Sequence, residues 1–186
     1  LASQGIAVLR YEKRTRQYPA QMAAMADHIT VKEETVDDAL AAVALLRQTD
    51  GIDPASIFVL GHSLGGMLLP RIGAADPQIS GLISLAGPAR PLEDITLEQI
   101  TYIVQLDGII SEVEQVELDK LATQVATVKS ADLSTNLPSD HLPLNIPANY
   151  WLDLRGYHPA ETAKNQKIPM LILQGERDYQ VTTADF

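Results

Sequence analysis

An α/β protein, with a mostly parallel sheet carrying helices on both faces, is what this sequence predicts, and three observations predict it. Short apolar runs recur with the length and bounding residues of buried strands. Amphipathic segments with helical spacing separate them, and the alternation of the two is the mark of parallel strands joined by crossovers. The runs are Ile6 to Leu9, Ile57 to Leu60, Leu82 to Leu85 and Met170 to Leu173. With 186 residues, 46% of them hydrophobic and 20% charged, the chain suffices for one domain with a real core.

The elements follow in order. Leu1-Ala-Ser-Gln-Gly5 reads as the end of a helix with its stop signal, and the first residue is not Met, so an internal portion of a longer polypeptide is expected. Ile6 to Leu9 is the first expected strand. A helix then opens on a capping box, Thr30-Val31-Lys32-Glu33, continues through Val36, Leu40, Val43 and Leu46, and stops at Asp50-Gly51. The strand Ile57 to Leu60 leads directly into a helix from about Leu64 to Ala75, and Leu82 to Leu85 is the next strand. From about Pro91 to Pro147 the rhythm breaks, first into helix and then into a loop punctuated by Pro138, Pro143 and Pro147, which marks an insertion. Within it Thr96-Leu97-Glu98-Gln99 has the pattern of a second capping box, and Ile110, Val113, Leu121, Val125 and Val128 make one apolar face. The sheet resumes at Met170.

Composition removes several classes of function. There is no cysteine, so disulfide scaffolds, thiolate metal sites and thiol nucleophiles fall away together. A formal net charge of −10 disfavours a nucleic-acid partner. No apolar run is long enough to cross a bilayer and no basic-plus-apolar leader opens the chain, so a soluble polypeptide is expected. Residues 91 to 140 hold ten acids against two bases, and that run reads as the solvated face of helices rather than a binding surface.

The strongest chemical signal is Gly61-His62-Ser63-Leu64-Gly65, followed by Gly66, between an expected strand and an expected helix. A Gly-x-Ser-x-Gly turn from strand to helix is so tight that its serine is strained, and small residues two before and two after it avoid collision. The hydroxyl then stands above the sheet at the positive end of the helix. Such a pentapeptide arises by chance in roughly one chain in twenty of this length. Its place at a strand-to-helix junction, which a random match has no reason to occupy, makes Ser63 a candidate nucleophile.

A nucleophilic serine needs a base, and the base needs a carboxylate that holds its tautomer. Asp178 and Glu176 both follow the Met170 to Leu173 strand, at the end where open parallel sheets assemble their sites. The histidines are His28, His62, His141 and His158. His62 should diverge from Ser63 at the turn, His28 precedes the helix cap, and His141 and His158 lie in or just after the proline-rich loop. The general base is therefore expected to be absent from this chain.

This arrangement resembles the α/β-hydrolases, in particular the bacterial esterase and lysophospholipase-like serine hydrolases with a helical lid after the sixth strand. The resemblance runs over essentially the whole chain. Gly5 to Tyr11 is similar to that family's fourth strand and the loop after it, Gly61 to Gly65 to its nucleophile elbow, and Gly81 to Gly87 to the following strand. Ile168 to Val181 is similar to the strand and turn that bear the triad acid, with the acid in a Gly-x-x-Asp-x-x-Val pattern that selects Asp178 over Glu176.

The resemblance implies an α/β-hydrolase fold, incomplete at both ends. Residues 1–90 would form the first part of the core, 91–150 a helical lid insertion and 151–186 the continuation of the core. It implies Ser63 as nucleophile, Asp178 as acid and the backbone amide of Leu64 as one oxyanion donor, with the histidine and the second donor on segments outside this chain. The implied reaction is cleavage of a small-molecule carboxylic ester through an acyl-enzyme, with no cofactor and no metal. A peptidase or thioesterase on the same scaffold, or a non-catalytic interaction protein with this fold, is the alternative.

Overall fold

The computed structural model describes residues 1–25 and 28–186. Three strands, β1 (Phe58–His62), β2 (Gly81–Leu85) and β3 (Met170–Leu173), form a parallel sheet in the order β1-β2-β3. Leu82 of the central strand is in register with Val59 on one side and Met170 on the other. All three strands thus present their carboxyl ends along one edge of the sheet.

Before the sheet come the 3-10 turn Ala2–Gln4, closed as expected by Gly5 at φ 73, and the short helices α1 (Arg14–Gln17) and α2 (Pro19–Ala24). Next is α3 (Asp37–Arg47), preceded by a π-helical turn at Lys32–Val36. The Thr30 box forms with one change of partner. The Glu33 carboxylate accepts from the Thr30 amide at 2.9 Å, while the Thr30 hydroxyl accepts from Lys32 at 3.1 Å rather than from the residue after it. Gly51, at φ 81, turns the chain beyond this helix.

Helix α4 (Leu64–Ala75) runs straight out of β1 and is buried on nearly every side. Leu68 and Leu69 have no exposed surface, and each contributes about 2 kcal/mol by leaving water. Leu69 and Ile72 pack with Val36, Val43, Ile57 and Leu82, which joins α3 to the sheet. Met67 and Leu68 pack instead with Met22, Val31, Tyr150 and Leu154.

Between β2 and β3 the chain runs through α5 (Leu92–Val104), α6 (Glu112–Lys129), two 3-10 turns, α7 (Ala148–Leu154) and α8 (Pro159–Lys164). The expected division at residue 150 falls inside α7. That helix sends Trp151 into a cluster with Val128, Leu133 and Leu142, and Tyr150 into the cluster around α4. The Tyr150 hydroxyl donates to Glu34 at 2.7 Å, and burial, then the Glu34 charge, raises its pKa. Tyr157, beyond α7, donates to the Met67 carbonyl at 2.8 Å, and burial pushes it up to about 12.

Several expectations are corrected. Ile6 to Leu9 is not a strand: it pairs with no other segment among the described residues, and without a partner strand Ile6 and Val8 stay exposed. The expected burial of strands on both faces holds best for the central one. Phe58 and Leu60 of β1, and Leu171, Ile172 and Leu173 of β3, are exposed, since side chains stand above and below the sheet and no described segment fully covers those faces of the outer strands. Thr96 is not a cap. It lies inside α5 and its hydroxyl donates back to the Leu92 carbonyl, while a reciprocal box forms between Ser111 and Glu114 at the start of α6. The buried face of α6 is Leu118, Leu121, Val125 and Val128, and Val113 stands in solvent one turn too early to reach the core.

Candidate active site

The strand-to-helix junction has the geometry of a strained elbow. Ser63 follows β1 at φ 52 and ψ −121, a conformation that ordinary L-residues avoid, and is the N-cap of α4. Its amide donates to the Leu85 carbonyl at 2.9 Å and its carbonyl accepts from Met67 at 3.0 Å, so the backbone is held from both sides. Its hydroxyl makes no capping bond and remains available. Leu64 is the first residue of α4, where an N–H has no intrahelical acceptor.

The glycines around the elbow do not share one role. A Cβ on Gly61 would lie 2.3 Å from the Gly65 carbonyl oxygen, so this position admits no side chain. A Cβ on Gly65 meets nothing within 4 Å, contrary to the expected symmetry of the motif. The crowded partner on the helix side is Gly66, whose Cβ would stand 2.8 Å from the Cα of Gly87. The sequence reading missed this second glycine pair, although both residues are visible in it. Their contact presses the start of α4 against the turn after β2, where Ala86 also takes a positive φ of 48.

Asp178 lies in the turn after β3. Its Oδ1 accepts from the Gln180 amide at 2.9 Å and the Val181 amide at 3.1 Å, and its own amide donates to the Gly175 carbonyl at 3.1 Å. Oδ2 makes no hydrogen bond among the described residues. Glu176 is exposed and has no such anchoring. With β2 between β1 and β3, Ser63 and Asp178 both follow the carboxyl ends of parallel strands, at the same end of the sheet.

None of the four histidines bonds to Ser63 or Asp178 among the described residues. His28, His62, His141 and His158 are all exposed. His141 stands 3.8 Å from Asp140, and the His158 carbonyl accepts from Thr162 at the start of α8.

The turn is anchored further along by Asp185. Its side chain is fully buried and accepts from the amides of Ala89 and Arg90, both at 3.1 Å, and from Nη2 of Arg90 at 2.7 Å. Burial opposes its ionisation, but the Arg90 guanidinium and the two amides outweigh it and hold the carboxyl below the usual range. Arg90 also reaches Glu98 of α5 at 2.7 Å. Nothing local in the sequence marks this pair, whose members stand 95 positions apart.

Residues 1–185 match the family model described as serine aminopeptidase, S33. The chain belongs to that family of α/β-hydrolases. It is also 41% identical over 187 residues to Esterase EstD of Thermotoga maritima, an alignment covering 100% of this chain and 41% of that protein. The chain therefore spans about two-fifths of the length of that relative. As a member of the S33 family it has the parallel sheet flanked by helices that its sequence predicts. No helix among its described residues is long and apolar enough to cross a membrane.

Proposed function

We propose that this chain carries the nucleophile and the acid of a serine hydrolase that cleaves carboxylic esters through an acyl-enzyme. The observation that carries the reading is the backbone of Ser63, left-handed at the N-cap of α4 with its hydroxyl uncommitted. The family and the esterase relative support it, as does the anchored carboxylate of Asp178 two strands away.

In this reading the Ser63 hydroxyl attacks the ester carbonyl carbon while a histidine takes its proton. Asp178 orients that imidazole through Oδ2 and stabilises its cation. The Leu64 amide and a second donor receive the charge that develops on the carbonyl oxygen, each contributing about 3 to 4 kcal/mol to the transition state. The alcohol departs with the proton, and water then releases the acid by the same route. In this reading the base is a histidine other than the four exposed ones of this chain, none of which bonds to Ser63 or Asp178 among the described residues. Residues 91–150 act as a lid over the substrate.

The test uses the native polypeptide that contains this chain. A fluorophosphonate probe is expected to label Ser63, and Ser63→Ala to abolish both labelling and hydrolysis of p-nitrophenyl esters. Equal labelling after Ser63→Ala would leave a hydrolase-like scaffold without this chemistry. The family description favours a second substrate class, peptides with a free amino terminus. A strong preference for aminoacyl anilides over p-nitrophenyl esters would replace the esterase reading with that one.

A further inference from the structure

One of the two backbone amides that hold Asp178, that of Val181, is itself held. Gln99, on α5, donates from Nε2 to the carbonyl of Gln180 at 2.6 Å. That carbonyl belongs to the same peptide group as the Val181 N–H, which donates to Oδ1 of Asp178 at 3.1 Å. The side chain of Gln99 is thus separated from the carboxylate by one peptide unit, in a continuous line of two hydrogen bonds. On the next peptide, Gln174 donates from Nε2 to the Val181 carbonyl at 2.5 Å. Beside them Tyr102 of α5 stacks on Tyr179, with ring centres 5.1 Å apart and planes 14° from parallel.

We propose that Gln99 is a positioning residue for Asp178, through which the first helix of the insertion sets the direction of the triad carboxylate. The inference rests on the serine-hydrolase reading above. Donation to a carbonyl polarises its peptide group and strengthens the hydrogen bond made by the N–H at the other end. It also fixes the plane of that peptide, and with it the site of Oδ1. A carboxylate pinned at Oδ1 can rotate only as the turn rotates, so Oδ2 keeps a constant direction toward the imidazole. The direction of that bond decides which histidine tautomer is present, and the tautomer decides whether Ser63 can lose its proton. Gln99 bonds to the turn and to neither Ser63 nor the Asp178 carboxylate. Its effect falls on kcat and not on substrate affinity.

The experiment is a double-mutant cycle in the native polypeptide. Gln99→Met removes the donor, keeps the side-chain length and favours helix. It is expected to lower kcat for p-nitrophenyl acetate about five- to tenfold, the loss of one ordinary hydrogen bond, with KM changed less than about twofold. The rate of fluorophosphonate labelling of Ser63, readable over hours in slow variants, should fall in parallel. In an Asp178→Asn background, where there is no anion to position, the same substitution should change labelling less than about twofold. Gln99→Leu, also without the donor and uncharged, provides the same reading should Gln99→Met fold poorly. An equal loss in both backgrounds would make Gln99 a tether of the insertion alone and overturn the proposal, as would an unchanged kcat. Labelling of Asp178→Asn at the wild-type rate would instead remove Asp178 from the catalytic reading, and the proposal with it.

Discussion

Gly61→Ala separates the two glycines that the elbow motif treats alike. The added Cβ would lie 2.3 Å from the Gly65 oxygen, 2.4 Å from its carbon and 2.8 Å from the Gly66 nitrogen, against 3.4 to 4 Å for ordinary contact. All three neighbours are backbone atoms of the first turn of α4, so relief requires moving that turn by more than an ångström. Overpacking usually costs about 1 to 3 kcal/mol, and an immovable backbone neighbour puts this case at the upper end, about 3 kcal/mol. For a chain of this size each kcal/mol lowers the melting temperature by about 2 to 4 °C, so a fall of about 6 to 12 °C is expected. The turn that must move carries Ser63, and fluorophosphonate labelling should slow along with the loss of stability. Gly65→Ala is the control: its Cβ meets nothing within 4 Å, and alanine is favoured over glycine in a helix by about 0.5 to 1 kcal/mol. Circular dichroism melts and labelling rates of the two variants decide the matter. A Gly61→Ala protein that melts within about 2 °C of wild type and labels normally would refute the steric reasoning. So would a Gly65→Ala protein damaged as badly.

Two further outcomes follow from contacts elsewhere. Arg90→Ala should cost about 3 kcal/mol in chemical denaturation, because it strands the buried Asp185 carboxylate, and Arg90→Ala with Asp185→Ala should cost less than Arg90→Ala alone. Since Asp185 ionises below its ordinary value in the folded chain, its contribution is complete above the unfolded carboxylate range and is lost as pH falls through the folded value. Stability against pH on the acid side should accordingly be flatter in Asp185→Asn. At α6, Ser111→Ala should cost about 1 kcal/mol by removing a helix cap. Thr96→Val in α5 loses only a bond to a carbonyl already inside its helix, and should melt within about 2 °C of wild type.

The elements read most securely from the sequence were those whose cause is local. Gly5 and Gly51 take positive φ where helix stops were expected, and Ser63 takes one at the strand-to-helix turn. Each needs only its immediate neighbours to be recognised. The Thr96 pattern misled for an equally local reason. A hydroxyl three residues before a glutamine suits a cap and also suits a helix interior, where it bonds back to the carbonyl four residues earlier. Ile6 to Leu9 misled because apolar composition reports a wish for cover, whereas a strand exists only if another pairs with it.

By itself the sequence determined where the elbow lies and which hydroxyl it carries, because these rest on residues within a few positions of one another, and it pointed to the family because two such local motifs, the elbow and the acid turn, occur in the right order. Only the tertiary structure decided which strands have neighbours, which glycines are crowded and what holds the acid turn. Gln99 and Gln180 are 81 positions apart, and Asp185 and the Ala89 amide are 96 apart. Such contacts leave no period or motif in the chain. They exist because parallel strands are joined by long excursions, and the excursion that returns to β3 brings its first helix back against the turn that β3 ends in.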